Sequence, residues 1–223
     1  MIKEKKVKLS PSIIATDYKN PDTLNLALEF LKSNKVAILH LDVMDGKFVK
    51  NKTFDASFVR KMREKTDFIL DTHLMVKNPE DVIEDYIEAG ADILTVHYEA
   101  TKNLENVLKQ IKKKGVLAGV SIKPETDPTV LKSVLDKNLV DVVLVMSVEP
   151  GACGQTFNQG SIEKIKKIRK MNDKVDIEVD GGINDLTAPM VVKAGANIIV
   201  SGSAIFGASD PKSAIIHLMN LKR

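Results

Sequence analysis

His40 and Asp42 stand two residues apart in the stretch Ile38-Leu39-His40-Leu41-Asp42-Val43-Met44-Asp45-Gly46. The stretch opens as an apolar run, which suits a strand buried on both faces. Residues two apart on a strand point to the same side, and an imidazole beside a carboxylate can ligate a metal. The design recurs twice. Phe68-Ile69-Leu70 runs into Asp71-Thr72-His73, and Val175-Asp176-Ile177-Glu178-Val179 runs into Asp180-Gly181-Gly182. Three strands that each end in His or Asp point to one site where strand ends converge. His40, Asp42, His73 and Asp180 form a donor set suited to one divalent ion, with room for a substrate oxygen. Any one of them alone reads equally well as a polar cap on a strand end. All four at equivalent strand ends favour the shared site.

Glycines follow the last three strands: Gly151-Ala152-Cys153-Gly154, Gly181-Gly182 and Gly202-Ser203. Glycine lets backbone N–H groups approach an anion, and a short helix after Ser203 can turn its N-terminus toward it. Each pair alone marks only a tight turn, but three adjacent loops favour a phosphate site. Met44, Met75 and Met146 also fall at strand ends, where methionine reads as core filler or as cavity wall. Ser12 reads as a turn residue or a substrate contact. His97 ends a strand and reads as packed there, and His217 reads as a surface residue of the last helix.

These residues need elements to hold them. Apolar runs at 7–14, 36–43, 68–74, 93–97, 116–122, 140–147, 175–180 and 197–201 read as strands. Helix patterns follow them, one starting at Asn20-Pro21-Asp22 with Leu24, Leu28 and Leu31 as its apolar face, and others over 54–65, 78–89, 104–114, 128–137, 162–171, 186–194 and 212–221. Strict alternation implies a parallel sheet with right-handed crossovers. Eight strand-plus-helix units in 223 residues predict one (β/α)8 barrel over residues 1–223, whose functional residues lie at the C-terminal ends of the strands. An open doubly wound sheet is the competing architecture, but the G-x-G-x-x-G fingerprint after the first strand is missing.

Composition excludes other classes. The net charge is only +3 and the lysines are spread over many helices, so no basic face stands ready for nucleic acid. Aromatics make up 4% of the chain, too few for a base-stacking platform. Cys153 is the single cysteine, which rules out an internal disulfide. Residues 1–8 are charged and lack the apolar core of a signal peptide, and no apolar run reaches the about 18 residues of a membrane span. A cytoplasmic protein is the expectation.

The ordered motifs resemble the ribulose-phosphate 3-epimerase family. They are Ser10-Pro11-Ser12-Ile13, His40-Leu41-Asp42-Val43-Met44-Asp45-Gly46-Lys47-Phe48-Val49, Asp71-Thr72-His73-Leu74-Met75, Met146-Ser147-Val148-Glu149-Pro150-Gly151, Glu178-Val179-Asp180-Gly181-Gly182-Ile183 and Ser201-Gly202-Ser203-Ala204-Ile205-Phe206. The resemblance implies interconversion of D-ribulose 5-phosphate and D-xylulose 5-phosphate. It implies that His40, Asp42, His73 and Asp180 bind one divalent ion, whether zinc, iron, manganese or cobalt, with Asp42 and Asp180 as the acid/base pair. Ser12, His40 and His73 would touch the sugar. Gly151, Ala152, Cys153, Gly154, Gly181, Gly182, Gly202 and Ser203 would surround the phosphate, and Met44, Met75 and Met146 would line the cavity. A homo-oligomer is implied as well.

One loop departs from the pattern. Where the family reads Asn-Pro-Gly-Phe-Gly-Gly-Gln, this chain reads Glu149-Pro150-Gly151-Ala152-Cys153-Gly154-Gln155. Cys153 in place of glycine is costly if that position needs a positive φ, and Glu149 adds a carboxylate near the phosphate. Two other functions therefore compete with the first: the same chemistry on a hexulose 6-phosphate such as D-allulose 6-phosphate, or a phosphosugar-binding barrel without turnover. The intact His/Asp quartet argues against a pure binder.

Overall fold

The computed structural model describes residues 7–222. Residues 1–6, most of the segment read above as too charged for a leader, lie outside the described residues. Among the described residues eight strands are present: β1 (Lys8–Pro11), β2 (Ile38–Met44), β3 (Ile69–Met75), β4 (Ile93–His97), β5 (Leu117–Ile122), β6 (Val142–Met146), β7 (Asp176–Asp180) and β8 (Ile198–Ser201). All their pairings are parallel, in the order β1-β8-β7-β6-β5-β4-β3-β2. A parallel bridge between Ser12 and His40 brings the two ends of the sheet together. The (β/α)8 barrel is the observed architecture, and the open sheet is not.

The helices are α1 (Pro21–Ser33), α2 (Ala56–Lys65), α3 (Ile83–Glu88), α4 (Leu104–Lys113), α5 (Lys132–Asp136), α6 (Gly160–Met171), α7 (Ala188–Ala194), α8 (Ser203–Phe206) and α9 (Pro211–Met219). Their starts follow local chemistry. Asn20 accepts from the N–H groups of Asp22 and Thr23 ahead of α1, Asp55 from Phe58 ahead of α2, and Asn103 from Asn106 ahead of α4. Each cap satisfies N–H groups that the first turn leaves without partners.

Two predicted helices are shorter than expected. The segment 78–89 opens as a 3₁₀ turn, Pro79–Asp81, and becomes α-helical only at Ile83. Asn78 sits in the left-handed region at φ 52°, and Val82 breaks the spiral at φ −132°. The segment 128–137 divides in the same way into a 3₁₀ turn, Pro128–Leu131, and α5.

Strand alternation separates two cores. Leu39, Leu41 and Val43 of β2 belong to the large apolar layer between sheet and helices, and are buried there. Truncating a fully buried leucine such as Leu41 to alanine costs about 2–5 kcal/mol. The intervening residues His40, Asp42 and Met44 face the barrel interior. That interior is sealed at its base by Ile93, Val142 and Ile198, the first residues of β4, β6 and β8. Above this plug lies a layer of buried polar residues, Ser10, His40, Asp71, Thr95, Ser121 and Glu178. Buried polar groups need partners, and the partners of this layer shape the site above it.

Candidate active site and metal centre

Register assembles the quartet. In the β2–β3 pairing His40 lies beside Asp71, Asp42 beside His73 and Met44 beside Met75. Across the barrel Met146 pairs with Asp180 and Leu144 with Glu178. Donor atoms of His40, Asp42, His73 and Asp180 all lie within 4.8 Å of one another. His40 and His73 are fully buried. They do not end their strands, because β2 and β3 run on to Met44 and Met75. The imidazoles therefore sit below the mouth.

Hydrogen bonds orient each member. His40 Nδ1 is 2.7 Å from Asp71 Oδ2, which also accepts from Ser10 Oγ at 2.8 Å. That leaves His40 Nε2 buried without a hydrogen-bond partner among the described residues, 3.4 Å from Asp42 Oδ1. His73 Nδ1 is 3.2 Å from the same Asp42 oxygen. Ser12 Oγ donates to Asp42 Oδ2 at 2.5 Å. An orphaned imidazole nitrogen aimed at two carboxylates and a second imidazole is a donor set that fits a divalent ion.

The charges are unequal. Burial alone would raise Asp42, but His40 and His73 outweigh it and hold the carboxyl well below the usual range. Burial and the negative charge of Asp42 push Asp180 up to about 6. Burial works against a charge on His40, yet Asp71 and Asp42 raise it well above its ordinary value. Deeper in the barrel, burial and Asp71 push Glu178 well above the usual carboxylate range. Two carboxyls with opposed tendencies are the arrangement an acid/base pair requires.

A cavity of about 400 Å³ opens over the quartet. Ser12, Asp42, Asp180, Met44, Met75 and Met146 line it. So do Gly151, Ala152, Cys153 and Gly154, with Gly181, Gly182, Gly202 and Ser203 on the far side. His40 and His73 are not on its wall. Their expected contact with a sugar is therefore not visible in the wall. Asn184 and Gln155 line the cavity and were not foreseen.

The altered loop differs from expectation. Cys153 is not among the residues with positive φ, whereas its neighbours Gly151 and Gly154 are, at 113° and 75°. The expected strain at Cys153 does not arise, because the turns fall on the flanking glycines. Glu149 is 3.9 Å from Lys123 Nζ, which tempers its charge. Gly182, at φ 61°, lies so near Phe157 that a Cβ would sit 2.6 Å from that residue's backbone nitrogen.

Sequence reasoning missed Asp71, His97, Glu99 and Glu178 as parts of this site. The signal was present, since Asp71 precedes His73 by two residues and Glu178 precedes Asp180 by two. Strand alternation places such pairs on one face. His97 Nε2 contacts His73 Nε2 at 2.9 Å, so its reading as a packed residue was incomplete. His217 is exposed on α9, as expected.

Comparison with known proteins agrees with this geometry. A family model described as "Ribulose-phosphate 3 epimerase family" matches residues 8–206. A Bacillus subtilis (strain 168) protein named ribulose-phosphate 3-epimerase is 42% identical over 221 residues, covering 97% of this chain and 100% of that protein. A rice (Oryza sativa subsp. japonica) protein named as the cytoplasmic isoform of the enzyme is 42% identical over 212 residues, covering 93% of this chain and 91% of its own length. Among solved structures, 3-keto-L-gulonate-6-phosphate decarboxylase from Vibrio cholerae O1 superposes with a TM-score of 0.73 at 14% identity, covering 96% of this chain and 95% of its own, which is a likeness of fold. Barrel topology, quartet and sequence similarity converge: the chain belongs to the ribulose-phosphate 3-epimerase family.

Proposed function

We propose that this protein epimerises D-ribulose 5-phosphate and D-xylulose 5-phosphate at C3, using Asp42 and Asp180 as its two proton-transferring groups. The observation that carries the reading is the pair itself. Two carboxyls, from strands three positions apart round the barrel, meet within 4.8 Å of two buried imidazoles at the floor of one cavity. Epimerisation beside a ketone removes a proton from one face of C3 and returns one to the other, so a planar enediolate needs a group on each side. Asp42 takes the C3 proton of ribulose 5-phosphate, and Asp180 delivers one to the opposite face. In the reverse direction the roles exchange.

His40, Asp42, His73 and Asp180 would hold a divalent ion of the zinc, iron, manganese or cobalt type. Such an ion supplies Lewis-acid stabilisation of negative charge on the reacting oxygens. Ser12 holds Asp42 in place through its hydroxyl. Met44, Met75 and Met146 give the floor low polarity, which strengthens electrostatic terms and excludes water. The glycine-bearing rim takes the phosphate, whose binding energy orients the sugar. Relatives named for ribulose phosphate support the pentulose over a hexulose 6-phosphate, and the intact carboxyl pair supports turnover over binding alone. The reading includes a cytoplasmic setting, supported by the name of the rice relative, and a homo-oligomer, carried over from the family resemblance.

The direct test is an assay of purified protein with D-ribulose 5-phosphate and D-allulose 6-phosphate, before and after chelation. Turnover of the pentulose phosphate, lost on metal removal and restored by added divalent ion, is expected. Full activity in a verified metal-free sample, or a clear preference for the hexulose, contradicts the reading.

A further inference from the structure

His97 ends β4, is fully buried and does not line the cavity. Its Nε2 lies 2.9 Å from His73 Nε2, and its Nδ1 lies 3.3 Å from Glu99 Oε2. Glu99 is fixed in turn: its other oxygen accepts from the backbone N–H of Lys123 at 2.8 Å and from the hydroxyl of Thr126. These contacts form one chain from the rim of the barrel to Asp42: Glu99, His97, His73, Asp42.

Hydrogen-bond chemistry sets the direction of that chain. Two imidazole nitrogens in contact share one proton, so one donates and the other accepts. A carboxylate that already receives two donors is an acceptor, so the proton between His97 and Glu99 belongs to His97 Nδ1. A neutral His97 then has a bare Nε2, which accepts the proton of His73 Nε2. With Nε2 committed to His97, Nδ1 is the nitrogen of His73 left to face the quartet, 3.2 Å from Asp42 Oδ1, where a bound ion would take its lone pair in place of the contact with that carboxylate. We propose that Glu99 and His97 are positioning residues that hold His73 as its Nε2–H tautomer and so present its Nδ1 to the divalent ion. His40 is held by the same logic without an intermediary, since Asp71 contacts its Nδ1 directly. One imidazole of the quartet is thus oriented by a carboxylate and the other by a carboxylate acting through a second imidazole. Groups behind a metal ligand typically contribute about 10–100-fold to metal affinity.

The inference rests on the metal quartet described above, and its test separates the two. The competing account is that His97 only fills space between His73 and Phe48, whose ring centroid is 4.8 Å away. Long-range ¹H–¹⁵N correlation spectra of the Zn²⁺-loaded, ¹⁵N-labelled wild-type protein read the His73 tautomer and its ligating nitrogen directly, and Nε2–H with Nδ1 on the ion is expected. Co²⁺ is then titrated against a competing chelator into wild type, His97→Phe and His97→Gln. Phenylalanine keeps a ring and removes the acceptor, while the Gln carbonyl can still accept from His73. His97→Phe should lose about 10–100-fold in Co²⁺ affinity and show a mixed His73 tautomer, and His97→Gln should recover most of the affinity. An Nδ1–H tautomer in wild type overturns the proposal, as does wild-type Co²⁺ affinity in His97→Phe or an equal loss in both variants. Should His97→Phe not fold, the wild-type spectrum and His97→Gln still decide. A wild-type protein that binds no Co²⁺ overturns the quartet reading, and this proposal with it.

Discussion

Asp42 and Asp180 are expected to fail differently when each is neutralised. Asp42→Asn and Asp180→Asn should each lose at least the about 10²–10⁴-fold typical of general acid–base catalysis, and more if the ion is lost too. With metal retention verified, Asp180→Asn in heavy water should label ribulose 5-phosphate at C3 while forming little xylulose 5-phosphate. Asp42→Asn should label xylulose 5-phosphate instead. Equal loss of exchange and epimerisation in both variants contradicts a separate role for each carboxyl. Cys153→Gly carries the opposite expectation from the one its position in the motif suggests. Since Cys153 does not adopt a positive φ, glycine relieves no strain, and KM for ribulose 5-phosphate should change by no more than about twofold. A large fall in KM contradicts the observed loop. The quartet was legible in the sequence because His and Asp are conspicuous in otherwise apolar runs. Asp71 and His97 were less so, because their meaning lies in which nitrogen of a neighbouring imidazole they touch. That depends on strand register, which residue types alone do not carry.

At the scale of elements, close approach sets what can change. Gly119 on β5 pairs with Thr95 on β4, and a Cβ there would overlap the Thr95 side chain, 2.9 Å from its Cβ. Gly119→Ala should cost about 1–3 kcal/mol of stability through overpacking, read as a lower denaturant midpoint. A midpoint equal to wild type would mean that β4 and β5 are further apart. Gly182→Ala adds a left-handed alanine to a contact with the Phe157 backbone, at about 1–3 kcal/mol for the backbone conformation alone. Its expected readout is a raised KM for the phosphosugar with Co²⁺ affinity retained. An unchanged KM would remove this loop from the phosphate site. The strands were legible because each is an apolar run of short length bounded by glycine or by a polar residue. The helices behind β3 and β5 were overextended, because Asn-Pro and Asp-Pro mark a start but do not reveal that the first turn is 3₁₀. The first of these turns follows a left-handed Asn78 and the second an extended Asp127 at φ −70°, a difference that a single sequence does not display.

For the whole molecule, barrel closure is what brings β2 and β7 to one floor, and in the proposed function the rim loops above them hold the phosphate of the substrate. Free D-ribulose should accordingly be a far poorer substrate than its 5-phosphate, through lost orientation and binding energy. Comparable kcat/KM for the two sugars would contradict a phosphate-reading rim. The central claim is that two groups, one at each face of C3, carry the proton in and out. The most direct measurement is the first-turnover conversion of ribulose 5-phosphate by the metal-loaded wild-type protein in heavy water, with C3 of the product read by NMR or mass spectrometry. The account predicts that newly formed xylulose 5-phosphate carries solvent deuterium at C3. Product that retains the substrate's own C3 proton would mean that one group serves both faces, and would contradict it.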